Sequence, residues 1–191
     1  MPHLAKGRTL QRMRTCRASA AGKLTVVLAT IVVLAGCGGG PSPRAWAASV
    51  CGALTPWRSE INKLTSSTDE QMTAQTTPAQ AKENLVRLFD GAEQASEAAR
   101  RKVEKAGIPE AENGEAISAG FRSSLGKMRD AYGRARDTID GLGTGEPTAF
   151  YDGVRAAVET LNKEYDASAL DTSKLNSEEL KQAFDEVPEC R

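Results

Sequence analysis

Few residues in this chain are of a type that does chemistry, and their spacing argues for structure over catalysis. There is one histidine, His3, and there are four cysteines, Cys16, Cys37, Cys51 and Cys190, none close enough to another for a Cys-x-x-Cys redox or metal motif. Carboxylates gather near the C-terminus as Glu178, Glu179, Asp185, Glu186 and Glu189. Paired carboxylates can divide acid and base roles, but these fall on a short amphipathic segment, where a solvated face is expected. Gly141-x-Gly143-x-Gly145 falls short of a phosphate cradle, because no strand precedes it and no Lys-Ser/Thr follows it. It reads as a helix–helix turn. The Asp-rich spacing of a calcium loop is absent. The expectation is therefore a non-enzyme with no catalytic residue, no metal site and no cofactor. The strongest basic cluster is Arg100, Arg101, Lys102 and Lys105. Cations in the last turns of a helix are favoured by its dipole without any partner; facing a membrane, the same four would meet anionic head groups.

The N-terminus carries a different kind of signal. Residues 1–36 hold six basic residues (Lys6, Arg8, Arg12, Arg14, Arg17 and Lys23) and no acidic one, and they end in an uncharged run from Leu24 to Ala35. Twelve residues are too few to span a bilayer, which takes about 20. A basic stretch, a short apolar run and then small residues is the pattern of a secretory signal, with Met13 as an alternative start to Met1. The run closes on Leu34-Ala35-Gly36-Cys37, which resembles the lipobox of bacterial lipoproteins at all four positions. The resemblance implies a diacylglycerol thioether on Cys37 and cleavage just before it, leaving the protein at the extracytoplasmic face of the cell membrane.

Cleavage there changes the arithmetic. Taking 36 residues from 191 leaves 155, and taking six from the 25 basic residues leaves 19 against 25 acidic ones, a formal charge of −6. His3 leaves with the signal, so imidazole bases and imidazole metal ligands are excluded. An acidic exported domain also argues against nucleic acid as a partner. Once Cys16 is removed and Cys37 carries lipid, Cys51 and Cys190 remain, and two cysteines in an exported chain read as one disulfide. Closing a loop of about 140 residues would stabilise the fold by roughly 5 kcal/mol in the chain-entropy treatment.

The elements that must hold these residues are helical. Gly38 to Pro43 reads as the tail of a flexible tether spanning 37–43, with a helical domain over 44–191. Trp46, Val50, Leu54, Trp57, Ile61 and Leu64 step at helical spacing across Ser42 to Thr65, with a kink or break expected at Pro56. Residues 65–77, rich in Thr and Ser, read as an unmodified flexible loop, with O-linked sugar as the alternative. Thr77-Pro78-Ala79-Gln80 is a strong helix start. The second helix carries Ala81, Leu85, Leu88, Phe89, Ala92, Ala95, Ala99 and Val103; the Ala-rich part predicts a close neighbour. A third helix runs on Ile117, Phe121, Leu125, Met128, Tyr132, Ala135, Ile139 and Leu142, and a fourth on Phe150, Val154, Ala157, Val158, Leu161 and Tyr165. Asn176-x-x-Glu179 predicts the cap of a short last helix.

The fold expected is all-α: an up-down-up-down four-helix bundle with a short C-terminal helix, closed by one disulfide. In general character the chain resembles small secreted helical lipoproteins from actinomycetes. The function expected is a membrane-anchored envelope lipoprotein acting as a non-catalytic interaction or binding module, with an envelope protein or anionic lipid as partner. The runner-up is a small-ligand carrier, or an accessory subunit of a transporter or receptor, with a cavity between helices.

Overall fold

The computed structural model describes residues 39–168, 172 and 175–191. The expected signal segment and Cys37 lie outside the described residues. Helix α1 spans Pro43–Gln71, α2 Pro78–Lys105, α3 Gly114–Asp140, α4 Pro147–Ser168 and α5 Glu178–Glu186, and a 3-10 turn closes the chain at Pro188–Cys190. The domain is all-α, and a Cys51–Cys190 disulfide closes it with the two Cα atoms 5.0 Å apart.

Helix α1 starts where Ser42 accepts a hydrogen bond from the Ala45 N–H, with Pro43 in the first turn. It runs through Pro56 as one helix. Pro56 is exposed and Gly52, four residues back, faces open space, so the carbonyl that Pro56 leaves without its N–H partner opens to solvent. The loop expected over 65–77 is shorter than the sequence suggested, because α1 continues to Gln71. Thr68 is buried and extends the spacing of Trp57, Ile61 and Leu64 by one more turn. The polar side chains around it are satisfied locally: Thr65 Oγ1 donates to the Ile61 carbonyl at 3.0 Å and Gln71 Nε2 to Ser67 Oγ at 3.1 Å.

The start of α2 is the expected capping box. Thr77 Oγ1 accepts from the Gln80 N–H at 3.3 Å, and Gln80 Oε1 accepts from the Thr77 N–H at 3.0 Å. On α5 the cap is Ser177, one residue later than Asn176: its hydroxyl accepts from the Leu180 N–H. The backbone carbonyl of Asn176 instead receives the Asn113 side chain.

Short connections make α1, α2 and α3 sequential antiparallel neighbours, and α4 packs on α3 and reaches α2. The remaining side of α1 is covered by α5 and the terminal turn. This brings Cys190 to Cys51, with help from Thr55 Oγ1 donating to the Glu189 carbonyl and from an Arg44–Glu186 ion pair. In the core, the rings of Trp46, Phe121 and Phe184 meet with centroids 5.4 to 5.9 Å apart and so bind α1, α3 and α5 together. The close neighbour predicted over the small residues of α2 is Trp57, whose Nε1 donates to the fully buried Ser96 hydroxyl at 3.0 Å.

Candidate functional site

Three regions carry polar or apolar features beyond those of a plain core. One is the turn between α2 and α3, where the chain enters the domain. The Glu110 N–H donates to the Pro41 carbonyl at 2.9 Å. A side chain at Gly40 would put its Cβ 2.0 Å from the Ile108 carbonyl oxygen, and one at Gly39 would meet the Glu110 carboxylate. Residues 39–41, expected as part of a flexible tether, are thus laid against this turn, and glycine is required at position 40, where backbone meets backbone. The turn itself is braced from beneath. Gly107 has φ +77°, and its carbonyl accepts from both Trp46 Nε1 at 3.0 Å and Ser118 Oγ at 2.9 Å.

A second region is the α2–α3 seam, with an open groove of about 530 Å³ lined in part by Glu97, Arg101, Lys102, Lys105 and Arg129. Its centre is Glu97, whose side chain is 21% exposed. Its carboxylate accepts two hydrogen bonds from Arg100, one from Arg101 and one from Arg129, all at 2.8 to 2.9 Å. The Arg100 bonds, then those of Arg101 and Arg129, hold this carboxyl well below the usual range against an opposing effect of burial. Arg100 is correspondingly raised by its bond to Glu97. The expected basic cluster is therefore two things. Arg100 and Arg101 are tied to Glu97, and Arg100 also reaches Glu104 at 3.4 Å. Lys102 and Lys105 are exposed and form no ion pair among the described residues.

The seam has a seven-residue register that the sequence carries openly but that a search for single sites passes over. On α2, Asp90, Glu97 and Glu104 recur every seven residues; on α3, so do Arg122, Arg129 and Arg136. Run antiparallel, Asp90 meets Arg136 at 3.3 Å and Glu97 meets Arg129 at 2.9 Å. Gly126 and Gly133 of α3, also seven apart, lie against Arg100 and Glu93 and leave room for them. Glu93 also pairs with Arg136. The third rung, Glu104 with Arg122, is not made: Glu104 is taken by Arg100, and Arg122 Nε is buried with no hydrogen-bond partner among the described residues.

The third region is an apolar pocket of about 120 Å³ among Leu54, Trp57, Phe121, Leu125, Met128 and Tyr165, with Arg58, Ser124 and Thr172 at its edges. Of the remaining candidates, the C-terminal carboxylates are exposed and do not face one another as a pair: Glu178 bonds Lys181 and Glu186 bonds Arg44. Gly143 and Gly145 sit in open space in the α3–α4 turn. Among the described residues no group of three or more His, Cys, Asp or Glu side chains is placed to hold a metal ion, and no helix is long and apolar enough to cross a membrane. No known family model, curated protein or solved structure matches this chain.

Proposed function

We propose that this chain is a cell-envelope lipoprotein, held at the extracytoplasmic face of the cell membrane by a diacylglycerol group on Cys37, whose helical domain is a non-catalytic interaction module. The observation that carries the reading is the division of the cysteines. Cys51 and Cys190 are bonded to each other, which leaves Cys37, the cysteine that directly follows the basic and apolar leader, outside that pair. It stands where a lipobox requires it. A disulfide joining the two ends of the domain fits an oxidising compartment.

Its partner is an envelope protein or anionic lipid, and Lys102 and Lys105 are the members of the basic cluster left to meet a negative surface. The test is metabolic labelling with a radioactive fatty acid. Label is expected in the native chain and absent from Cys37→Ala, and equal labelling of both would overturn the reading. The apolar pocket supports the second reading, a small-ligand carrier, in a restricted form. At about 120 Å³ it suits a ligand the size of one aromatic ring, and it is well below the roughly 300 Å³ of ordinary ligand sites.

A further inference from the structure

We infer that the turn between α2 and α3, with Ile108 at its apex, is the face by which this domain rests on the lipid bilayer. The inference builds on the lipid anchor at Cys37 and says which surface the anchor brings down. Gly39 and Gly40 lie against this turn, and Pro41 is hydrogen-bonded to it. Only two residue steps separate Gly39 from Cys37, a reach of about 7 Å. A lipid on Cys37 therefore holds residues 107–110 at the level of the head groups. The far turn, 141–146, is separated from it by the 27 residues of α3, about 40 Å of helix.

The side chains at this end fit that placement. Among the described residues, Ile108 is the more exposed of the two large apolar side chains that stand out from the surface, at 48%. The other, Tyr151, lies near the start of α4, beside the far turn. Ile108 is also presented on a fixed support. The carbonyl before it is held by Trp46 and Ser118, the Glu110 N–H after it by Pro41, and Pro109 is buried. A braced turn with an isoleucine at its tip, next to the entry of a lipid-bearing chain, suits insertion at the boundary between head groups and acyl chains.

Lys105 and Lys102 flank it on the last turn of α2, while Glu110, folded over Gly39, and Glu112 carry the opposite charge. The surface that fits is thus an interfacial one in which apolar insertion leads and anionic lipid adds a smaller attraction.

The test uses the full lipidated chain in phosphatidylcholine vesicles containing some phosphatidylglycerol. A bimane label is placed at residue 108 in I108C or at residue 144 in T144C, and quenching by lipids brominated in the upper acyl chain is read. Quenching several-fold stronger at 108 than at 144 is expected. Mass spectrometry of the same samples separates two failures. Weak and equal quenching in a chain that carries its lipid overturns this inference and leaves the anchor standing, whereas a chain with no lipid on Cys37 overturns both. A label at residue 112 in E112C serves as a second position, because a turn that rests on the bilayer quenches it more than 144, and a turn held clear of it does not.

Discussion

Glu97 offers the sharpest perturbation of the domain, because one carboxylate collects four hydrogen bonds from three arginines on two helices. Glu97→Gln keeps the shape and one acceptor oxygen but removes the charge and turns amide hydrogens toward guanidinium groups. Hydrogen bonds to charged groups contribute about 1.5 to 3 kcal/mol when buried. This site is partly open, and neighbouring charges screen the loss, so roughly 2 kcal/mol is expected in total. For a domain of this size that is a fall of about 4 to 8 °C in melting temperature.

Thermal unfolding followed by circular dichroism at neutral pH reads it. Glu104→Gln, which loses one 3.4 Å contact at a half-exposed position, is the control and is expected to change stability by less than about 0.5 kcal/mol. The pH dependence has a definite sign. The folded carboxyl titrates below its ordinary value of 4.5, so Glu97 stabilises the fold fully above that value and loses its contribution gradually as pH falls below it. The gap between native and Gln proteins should narrow below about pH 4.5 and close only under strongly acid conditions. Equal melting of the two at neutral pH, or a gap that widens as pH falls, would refute the account of the seam.

Three further outcomes follow from the same structure. The disulfide closes a separation of 139 residues, so Cys51→Ala/Cys190→Ala should lower the unfolding free energy in urea by up to roughly 5 kcal/mol, and an unchanged midpoint would deny the bond a stabilising part. Gly107→Ala places a side chain at φ +77° with no clash closer than 3.8 Å, so the cost should be backbone strain alone, about 1 to 2 kcal/mol, seen as a melting point lower by a few degrees. Burial pushes the Tyr132 phenol up to about 12; stability drawn from keeping it neutral is complete below its unfolded value near 10 and lost as pH rises through about 12. Ultraviolet titration should show a late phenolate step that is missing in Tyr132→Phe.

Much of the fold was legible in the sequence because its signals were local or strictly periodic. Pro43, the Thr77–Gln80 box and the inward stripes of α2, α3 and α4 all act within a few residues, and the Cys51–Cys190 pair followed from counting. The misreadings share a cause. Thr65 to Thr68 look like loop by composition, yet α1 runs on to Gln71, with Thr65 bonded to the Ile61 carbonyl, Ser67 accepting from Gln71 and Thr68 buried. Asn176 and Ser177 are both good caps by type; Ser177 takes the role, while the Asn176 carbonyl accepts a hydrogen bond from the distant Asn113 side chain. The basic cluster was visible as charge, but its partner Glu97 lies within the same helix and Arg129 on the next, so the division into tied arginines and free lysines needed the antiparallel register. The seven-residue recurrence of Arg122, Arg129 and Arg136 against Asp90, Glu97 and Glu104 was the signal that would have found it. Docking of Gly40 and Pro41 on the α2–α3 turn left no trace in composition, since Gly-Gly-Pro reads the same whether free or pinned.

The central claim is that Cys37 is the lipid-bearing first residue of the mature protein. The most direct measurement is the mass of the N-terminal peptide of the protein purified from membranes of cells that produce the full chain. The account predicts a peptide beginning at Cys37 with a diacylglycerol group on its sulfur, residues 1–36 having been removed. A peptide that retains residues from before Cys37, or that begins after a different residue with Cys37 unmodified, would contradict it.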